Sequence, residues 1–301
     1  MAEKKKHFER EFDNIRTSLM REPRGNNGVL AVPVDVTDPR ADLGLIFADY
    51  RGYVDMCVHG TIGVVTTLVE KKLVSQKKIK RGELVFETPS GLVRTQFSTN
   101  GTRKVREVAL TNVPSFFLKD EMVRTESFGS VEVSFAFGGN IYGYVDSSSI
   151  NLAIKPERIK ELLKAAKEIL SKTKDMNFKL PSPLQSSRVL GISLFQDLKR
   201  LKARNVMIAA DDLFDRSPCG TGTCGRMAVK FAKGEIALNE KFESRSIIDS
   251  VFYGLVIDSN EQPKETRKVI IPQIRGTAYI TGSFDAVIDQ DDSLKNGFLV
   301  A

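Results

Sequence analysis

Two stretches around a cysteine repeat one pattern, and this repeat constrains the fold more than any other feature of the chain. Residues 46–49 precede the segment 57–63 in the first stretch, and residues 208–211 precede the segment 219–225 in the second. Ile, Ala, Asp, Cys, Gly, Thr and Gly recur at one offset of 162 positions, whereas unrelated stretches of average composition agree at about one position. The repeat indicates an internal duplication with one cysteine in each half.

The length agrees with a molecule of two lobes. A chain of 301 residues exceeds the usual size of one domain, so two lobes of roughly 150 residues are expected. We expect an N-terminal lobe at residues 1–124, carrying Cys57, and a C-terminal lobe at residues 125–301, carrying Cys219. The last residues are expected to pack back on the N-terminal lobe.

The number of cysteines and the net charge indicate the cellular compartment in which the protein works and the kinds of partner that it binds. Three cysteines, an odd number, argue against a disulfide framework and fit a reducing compartment. We expect a cytoplasmic protein without a membrane partner, because no apolar run approaches the ~20 residues that span a bilayer and the start has no apolar signal region. The net charge is +7, but the basic runs at residues 4–6 and 77–81 lack interleaved aromatic residues, so no nucleic-acid partner is expected.

Hydrophobic periodicity predicts a mixed α/β protein. Apolar residues at helical spacing predict helices at residues 7–21, 61–72, 156–172 and 227–233. Short β-like runs predict strands at residues 29–36 and 43–48, within 83–137, and at 247–257, 268–274 and 278–288.

The setting of the two cysteines predicts anion binding and thiol chemistry. Each cysteine precedes a Gly-Thr segment that opens a helix. The free N–H groups and the dipole of a helix start bind anions and favour an adjacent thiolate. Gly60, Gly220 and Gly222 would let a small ligand approach the backbone. Two such helix starts, face to face, would hold one carboxylate while one thiolate removes the α-proton and the other thiol donates a proton from the opposite side.

Each residue in these motifs also has a purely structural interpretation. Asp215 is placed to meet a substrate ammonium but would otherwise be a cap or turn residue, and His59 would otherwise be a loop residue bonded to backbone. Cys224 is interpreted as helix packing, because Ile62 occupies its place in the first repeat. A single cysteine before a glycine turn is more often a buried apolar residue, but two in matching settings favour the catalytic interpretation.

Two other kinds of site fit the residues less well. Residues 220–225 match the Gly-x-Gly-x-x-Gly pattern of dinucleotide-binding proteins, but they do not directly follow a predicted strand as that motif requires. Cys57, His59, Cys219 and Cys224 could form a zinc site, yet no Cys-x-x-Cys spacing occurs. Neither a cofactor nor a metal is therefore expected.

Residues 55–63 and 215–223 closely resemble the two signature motifs of the proline racemase family, which includes hydroxyproline 2-epimerases and trans-3-hydroxyproline dehydratases. Residues 22–25, 88–93 and 137–140 also look like landmarks of that family. The resemblance implies a diaminopimelate-epimerase-like α/β fold of two pseudo-symmetric lobes, each a curved sheet around a central helix. It also implies a homodimer that works without pyridoxal phosphate or metal.

The resemblance assigns roles to particular residues. Cys57 and Cys219 would be the acid–base pair, and His59 and Asp215 would bind the ring nitrogen of the substrate. The substrate carboxylate would be bound by the backbone amides of Val58, His59, Gly220 and Thr221, beside Gly60. Family members that eliminate water typically carry threonine at the second cysteine, so Cys219 favours inversion.

The chain departs from the family pattern in two places. Val58 stands where glycine is usual, which adds bulk beside the substrate. The chain also starts at the helix that follows the usual first strand, so the first strand of the N-terminal lobe is expected to be missing. The function expected is proline racemase, with 4-hydroxyproline 2-epimerase as the alternative. An alternative function of a different class is that the protein binds proline-like ligands without catalysing a reaction.

Overall fold

The computed structural model describes residues 1–25, 28–181, 188–209, 213–261 and 268–300. The chain divides into two compact units: the first contains Met1–Val108 and Thr277–Ala301, and the second contains Ala109–Gly276. Each unit combines helices with a β-sheet, which confirms the predicted mixed α/β class. The lobe boundary between residues 124 and 125 stays a prediction.

Two short helices begin the first unit where the sequence predicts one. Helix α1 is Ala2–Glu11 and α2 is Asp13–Met20. Between them Phe12 leaves the helical conformation, with φ −128° and ψ 17°. The prediction of one helix over residues 7–21 was wrong about this break, because the apolar spacing continues across a single non-helical residue.

The strands of the first unit form a mixed sheet. They are β1 (Leu30–Val34), β2 (Leu43–Ala48), β3 (Tyr53–Val54), β4 (Glu83–Thr88) and β5 (Gly91–Thr99). Strand β2 pairs antiparallel with β1 and β3 and parallel with β4, which pairs antiparallel with β5. The strands predicted at residues 29–36 and 43–48 are confirmed. Strand β6 (Val105–Thr111) contains the division between the units.

Helices α3 (Val58–Glu70) and α4 (Gln76–Arg81) complete the regular structure of the first unit. The buried residues of α3 recur at intervals of three and four, as on one face of a helix: Val58, Thr61, Ile62, Val65, Thr66 and Val69. The helix begins three residues before the predicted start at residue 61, because Cys57 caps it.

The strands of the second unit form a closed ring. They are β7 (Ser115–Thr125), β8 (Gly129–Phe137), β9 (Ile141–Asp146), β10 (Val189–Lys199), β11 (Lys202–Ala209), β12 (Lys241–Arg245), β13 (Val251–Glu261) and β14 (Lys268–Gly276). Each strand pairs with the next in this order, and β14 also pairs with β7. The described strands of this unit therefore form a sheet closed on itself.

Helix α6 (Gly220–Ala232) is the central helix of this ring, whereas α5 (Ile159–Thr173) packs against β7, β10 and β11. Helix α6 contacts β7, β8, β9, β13 and β14, and every residue from Gly220 to Lys230 is buried. The predicted fold of a sheet around a central helix is confirmed in this unit.

Two sequence predictions differ from the structure in this part of the chain. Helix α6 begins at Gly220, seven residues before the predicted start at residue 227, because burial inside the sheet outweighs the low helix propensity of its glycines. The strand predicted at residues 278–288 was wrong, since these residues carry no regular structure. Alternating apolar residues do not reveal whether a partner strand is available.

Among the residues that the structure describes, no helix combines the length and apolar character needed to cross a membrane.

Candidate active site

Cys57 occupies the N-cap position of α3 (Val58–Glu70). Its Sγ atom accepts a hydrogen bond from the backbone N–H of Gly60 at 3.4 Å. The cysteine has extended backbone angles, φ −141° and ψ 105°, as is usual for an N-cap. The thiol therefore lies against the positive end of the helix dipole, with only 7% of the residue exposed.

Cys219 occupies the same position on α6. Its Sγ atom accepts from the backbone N–H of Gly222, also at 3.4 Å, and lies 3.7 Å from Oγ1 of Thr221. Its φ of 55° and ψ of 101° place it in the left-handed half of backbone space, which is unusual for a residue with a side chain. Strain of this kind persists only where the surroundings enforce it, and it often occurs at functional sites.

The glycine three residues after each cysteine makes room for the thiol. A Cβ atom on Gly60 would lie 3.1 Å from Sγ of Cys57. A Cβ atom on Gly222 would lie 3.0 Å from Sγ of Cys219 and 2.8 Å from Cε of Met207. Gly60 and Gly222 therefore leave the space that the sulfur needs in the same cap geometry at both helix starts.

The other residues predicted for the site fall into two local groups. In the first unit, Val58, His59 and Gly60 form the first turn of α3, with Val58 buried and His59 partly exposed. In the second unit, Gly220 and Thr221 form the first turn of α6, and both are buried.

Asp215 lies in the segment before α6. Its Oδ1 accepts from the backbone N–H of Ser217 at 2.8 Å, and its own N–H donates to the carbonyl of Met207 at 2.9 Å. These bonds fit the alternative interpretation of Asp215 as a turn residue, and its role toward a ligand stays a prediction. Ala210 and Asp211, which the repeat places at a strand end, lie outside the described residues.

Cys224 is part of the packing of α6, as predicted. It is 0% exposed, and the matching residue of the first motif, Ile62, is 1% exposed. Burial raises the pKa of the Cys224 thiol well above its ordinary value, so this cysteine stays protonated and unreactive.

The sequence interpretation missed two tyrosines that contact the second motif. The hydroxyl of Tyr142 lies 3.2 Å from Oγ1 of Thr221, and the hydroxyl of Tyr144 donates to the carbonyl of Gly222 at 2.9 Å. Both side chains extend from the same face of β9, because residues two apart in a strand share a face. Two tyrosines at this spacing, directly after residues 137–140, were the signal in the sequence.

Within the described ranges, no group of three or more histidine, cysteine, aspartate or glutamate side chains is arranged to hold a metal ion.

Comparison with known proteins gives one consistent family. The sequence matches the proline racemase family over residues 1–299. A proline racemase of Clostridioides difficile is 34% identical over 307 aligned residues, which cover 100% of this chain and 90% of the relative. A 4-hydroxyproline 2-epimerase of Brucella anthropi is 38% identical over 311 aligned residues, which again cover 100% of this chain and 90% of the relative.

Solved structures agree with these relatives. A probable proline racemase from Agrobacterium radiobacter, crystallised with carbonate, superposes with a TM-score of 0.88 at 27% identity, covering 96% of this chain and 84% of the other. A hydroxyproline epimerase from Agrobacterium vitis, with bound trans-4-hydroxy-L-proline, gives a TM-score of 0.88 at 27% identity, covering 95% of this chain and 83% of the other. A PhzF-family protein of Bacillus anthracis, at 16% identity and a TM-score of 0.52 over 89% of this chain and 86% of the other, shares the fold alone.

The curated relatives named above are racemases and epimerases, so the prediction of an isomerase is confirmed at the level of the family. The resemblance seen in residues 55–63 and 215–223 extends over nearly the whole sequence. This chain belongs to the proline racemase family.

Proposed function

We propose that this chain is a cofactor-independent proline racemase that interconverts L- and D-proline, with Cys57 and Cys219 as its acid–base pair. The observation that carries the proposal is the repeated cap. Each cysteine begins a helix, and each sulfur accepts the N–H of the glycine three residues later at 3.4 Å. Thiols held at two helix starts have the local field that favours a reactive thiolate.

The proposed binding of the substrate uses the two helix starts. The backbone N–H groups of Val58, His59, Gly220 and Thr221 bind the carboxylate, since the first N–H groups of a helix have no partner within it. The side chains of His59 and Asp215 bind the ring nitrogen.

The proposed reaction moves protons only. One thiolate removes the α-proton, and the electrons of the broken C–H bond pass into the carboxylate, which becomes an ene-diolate. The other thiol then donates its proton to the opposite face of the carbon, and the centre is inverted. The N–H donors stabilise the negative charge that develops on the carboxylate oxygens. Each turnover exchanges the protonation states of the two sulfurs, so the next substrate must be the opposite enantiomer or the protons must re-equilibrate with water.

A second candidate substrate is 4-hydroxyproline, for which the reaction would be a 2-epimerisation. It is favoured by the 38% identity to the Brucella anthropi 4-hydroxyproline 2-epimerase and by the trans-4-hydroxy-L-proline bound in the Agrobacterium vitis structure. The two reactions share one chemistry and differ in the shape of the pocket that they need.

The test is to incubate the protein in D2O with L-proline and, separately, with trans-4-hydroxy-L-proline. Chiral chromatography measures inversion, and mass spectrometry measures deuterium at the α-carbon. We expect the D-proline product to carry one deuterium at that carbon. Faster turnover of 4-hydroxyproline would make epimerisation the main activity, and inactivity on both substrates would exclude the proposal.

The non-catalytic alternative has no support from the comparisons, and the same experiment tests it. A binder would protect Cys57 or Cys219 from iodoacetamide in the presence of proline, yet it would exchange no α-proton. An enzyme shows both effects at the same ligand concentrations.

The proposal includes a homodimer in the cytoplasm. A reducing compartment suits a mechanism that needs reduced thiols, and none of the described cysteines Cys57, Cys219 and Cys224 forms a disulfide. Light scattering after size exclusion measures the dimer, and a monomeric mass with full activity would contradict this part of the proposal.

A further inference from the structure

A buried line of polar groups leads from strand β9 (Ile141–Asp146) and the residue before it to the sulfur of Cys219. The side-chain amide of Asn140 donates to the hydroxyl oxygen of Tyr142 at 3.4 Å. The Tyr142 hydroxyl lies 3.2 Å from Oγ1 of Thr221, and this oxygen lies 3.7 Å from Sγ of Cys219. All four residues are buried and belong to the second unit.

The chemistry of these groups gives the line a direction. The nitrogen of an amide group donates hydrogen bonds and accepts none, so the Tyr142 oxygen is the acceptor of its bond with Asn140. A thiolate sulfur only accepts hydrogen bonds, so when Cys219 is ionised the Thr221 hydroxyl donates to it, and the Thr221 oxygen can then accept from the Tyr142 hydroxyl. A line of donors that ends at a sulfur stabilises the negative form of that sulfur, and the effect is strong in a buried site of low dielectric.

Tyr144 fixes the same helix turn through a different atom. Its hydroxyl donates to the carbonyl of Gly222, and its ring uses the space left by Gly225, where a Cβ atom would lie 2.1 Å from the Tyr144 hydroxyl oxygen. Tyr144 thus holds the backbone of α6, whereas Tyr142 reaches the side chain next to the thiol. The two tyrosines form a matched pair in which one can serve as the control for the other.

The line distinguishes the second motif from the first. The residue that matches Thr221 in the first motif is His59, whose side chain carries an imidazole ring in place of the hydroxyl group. The repeated sequence therefore specifies the helix cap at each thiol. The buried line of polar groups is present at Cys219 in addition to that cap.

We propose that Tyr142 is a positioning residue that acts through Thr221 and holds Cys219 as the thiolate in the resting protein, while Cys57 is the thiol. This rests on the proposed function, in which both sulfurs exchange protons with the substrate. In the resting state the α-proton passes to Sγ of Cys219, and the Cys57 thiol supplies the proton that completes inversion, so the proton count balances without a co-reactant. The resting enzyme then acts first on the enantiomer whose α-proton faces Cys219.

The test measures thiol reactivity and does not depend on turnover. The rate of alkylation by iodoacetamide is measured from pH 5 to pH 9, with tandem mass spectrometry locating the label at Cys57, Cys219 or Cys224. We expect Tyr142→Phe to move the pH dependence of Cys219 alkylation upward by about one unit, as expected for weakening a hydrogen bond to a charged group. Alkylation of Cys57 in the same molecules should not change.

Tyr144→Phe is the matched control, because it removes a buried hydroxyl from the same face of the same strand without touching the line. It is expected to lower the melting temperature without moving the pH dependence of Cys219 alkylation. Thr221→Val and Thr221→Ser give an independent check: the valine variant should move the dependence upward, and the serine variant, which keeps the hydroxyl, should restore it.

Each outcome bears on the proposal. An unchanged pH dependence in Tyr142→Phe, or an equal change in Tyr144→Phe, would overturn it even if the protein racemises proline. A shift confined to Tyr142→Phe and Thr221→Val would support the line even in a protein inactive on both imino acids, in which case the proposed function alone would fail.

Discussion

The Cys57 motif and the Cys219 motif share one local geometry in two different surroundings. Both sulfurs accept an N–H at 3.4 Å from the glycine three residues later. Helix α3, which follows Cys57, is buried along one face, whereas α6, which follows Cys219, is buried on all sides over residues 220–230. The repeated sequence thus specifies the cap of each thiol. The extent to which the surrounding structure buries each helix determines how well that helix tolerates substitutions.

The largest expected effect comes from removing either sulfur. Cys57→Ser and Cys219→Ser should each lower the rate of net inversion by at least about 100-fold, because general acid–base catalysis by one group contributes about that much or more. Each variant keeps one thiol, which can remove and return a proton on one face only. We therefore expect slow α-proton exchange in D2O with retained configuration, in one enantiomer for Cys57→Ser and in the other for Cys219→Ser.

Chiral separation followed by mass spectrometry of each enantiomer makes this measurement. If both variants exchanged the same enantiomer, the two motifs would not act on opposite faces of the substrate. Full turnover in either variant would refute the two-thiol mechanism.

The next largest difference is expected at a second matched pair of glycines. A Cβ atom on Gly225 would lie 2.1 Å from the Tyr144 hydroxyl oxygen, whereas a Cβ atom on Gly63, the matching position in α3, would meet nothing within 4 Å. Gly225→Ala should lower the free energy of unfolding by about 1–3 kcal/mol, the usual cost of overpacking. Gly63→Ala should raise it by about 0.4–1 kcal/mol, because alanine restricts the unfolded chain and favours the helix.

Urea unfolding of both variants beside the unchanged protein measures these opposite signs. A similar loss in both variants would show that the surroundings of α3 and α6 do not differ in the way described.

The smallest effect is expected at the third cysteine. Cys224→Ala removes one buried sulfur from α6 and should cost about 1 kcal/mol of stability through the small cavity it leaves. Burial raises the pKa of the Cys224 thiol, which keeps it out of proton transfer. Racemisation should stay within about twofold of the unchanged protein, a difference of roughly 0.4 kcal/mol. A large loss of activity with intact stability would give Cys224 a role that Ile62 does not have.

The sequence predicted the features that depend on neighbouring residues. The sequence placed each cysteine just before a Gly-Thr segment that opens a helix. In the structure both helices begin directly after their cysteine, three residues before the predicted start of α3 and seven residues before that of α6. The buried strand Leu43–Ala48 was equally predictable from its continuous apolar run. These patterns need no knowledge of the remainder of the fold.

The features that were missed depend on distant parts of the chain. The bond between Tyr142 and Thr221 joins residues 79 positions apart, so no local pattern could pair them. The early start of α6 depends on burial by strands that are distant in sequence. The break at Phe12 changes one residue within a continuous apolar spacing, and the unpaired residues 278–288 depend on the availability of a partner strand.

The closed ring of the second unit has a consequence for the motion of Cys219. Strand β14 is bonded to both β13 and β7, so none of the eight described strands can separate without breaking the pairing on its two sides. Helix α6 lies within that ring, and displacing it requires the hydrogen-bonded wall to open. We therefore expect the position of Cys219, at the start of α6, to stay fixed for as long as the strands of the ring remain paired.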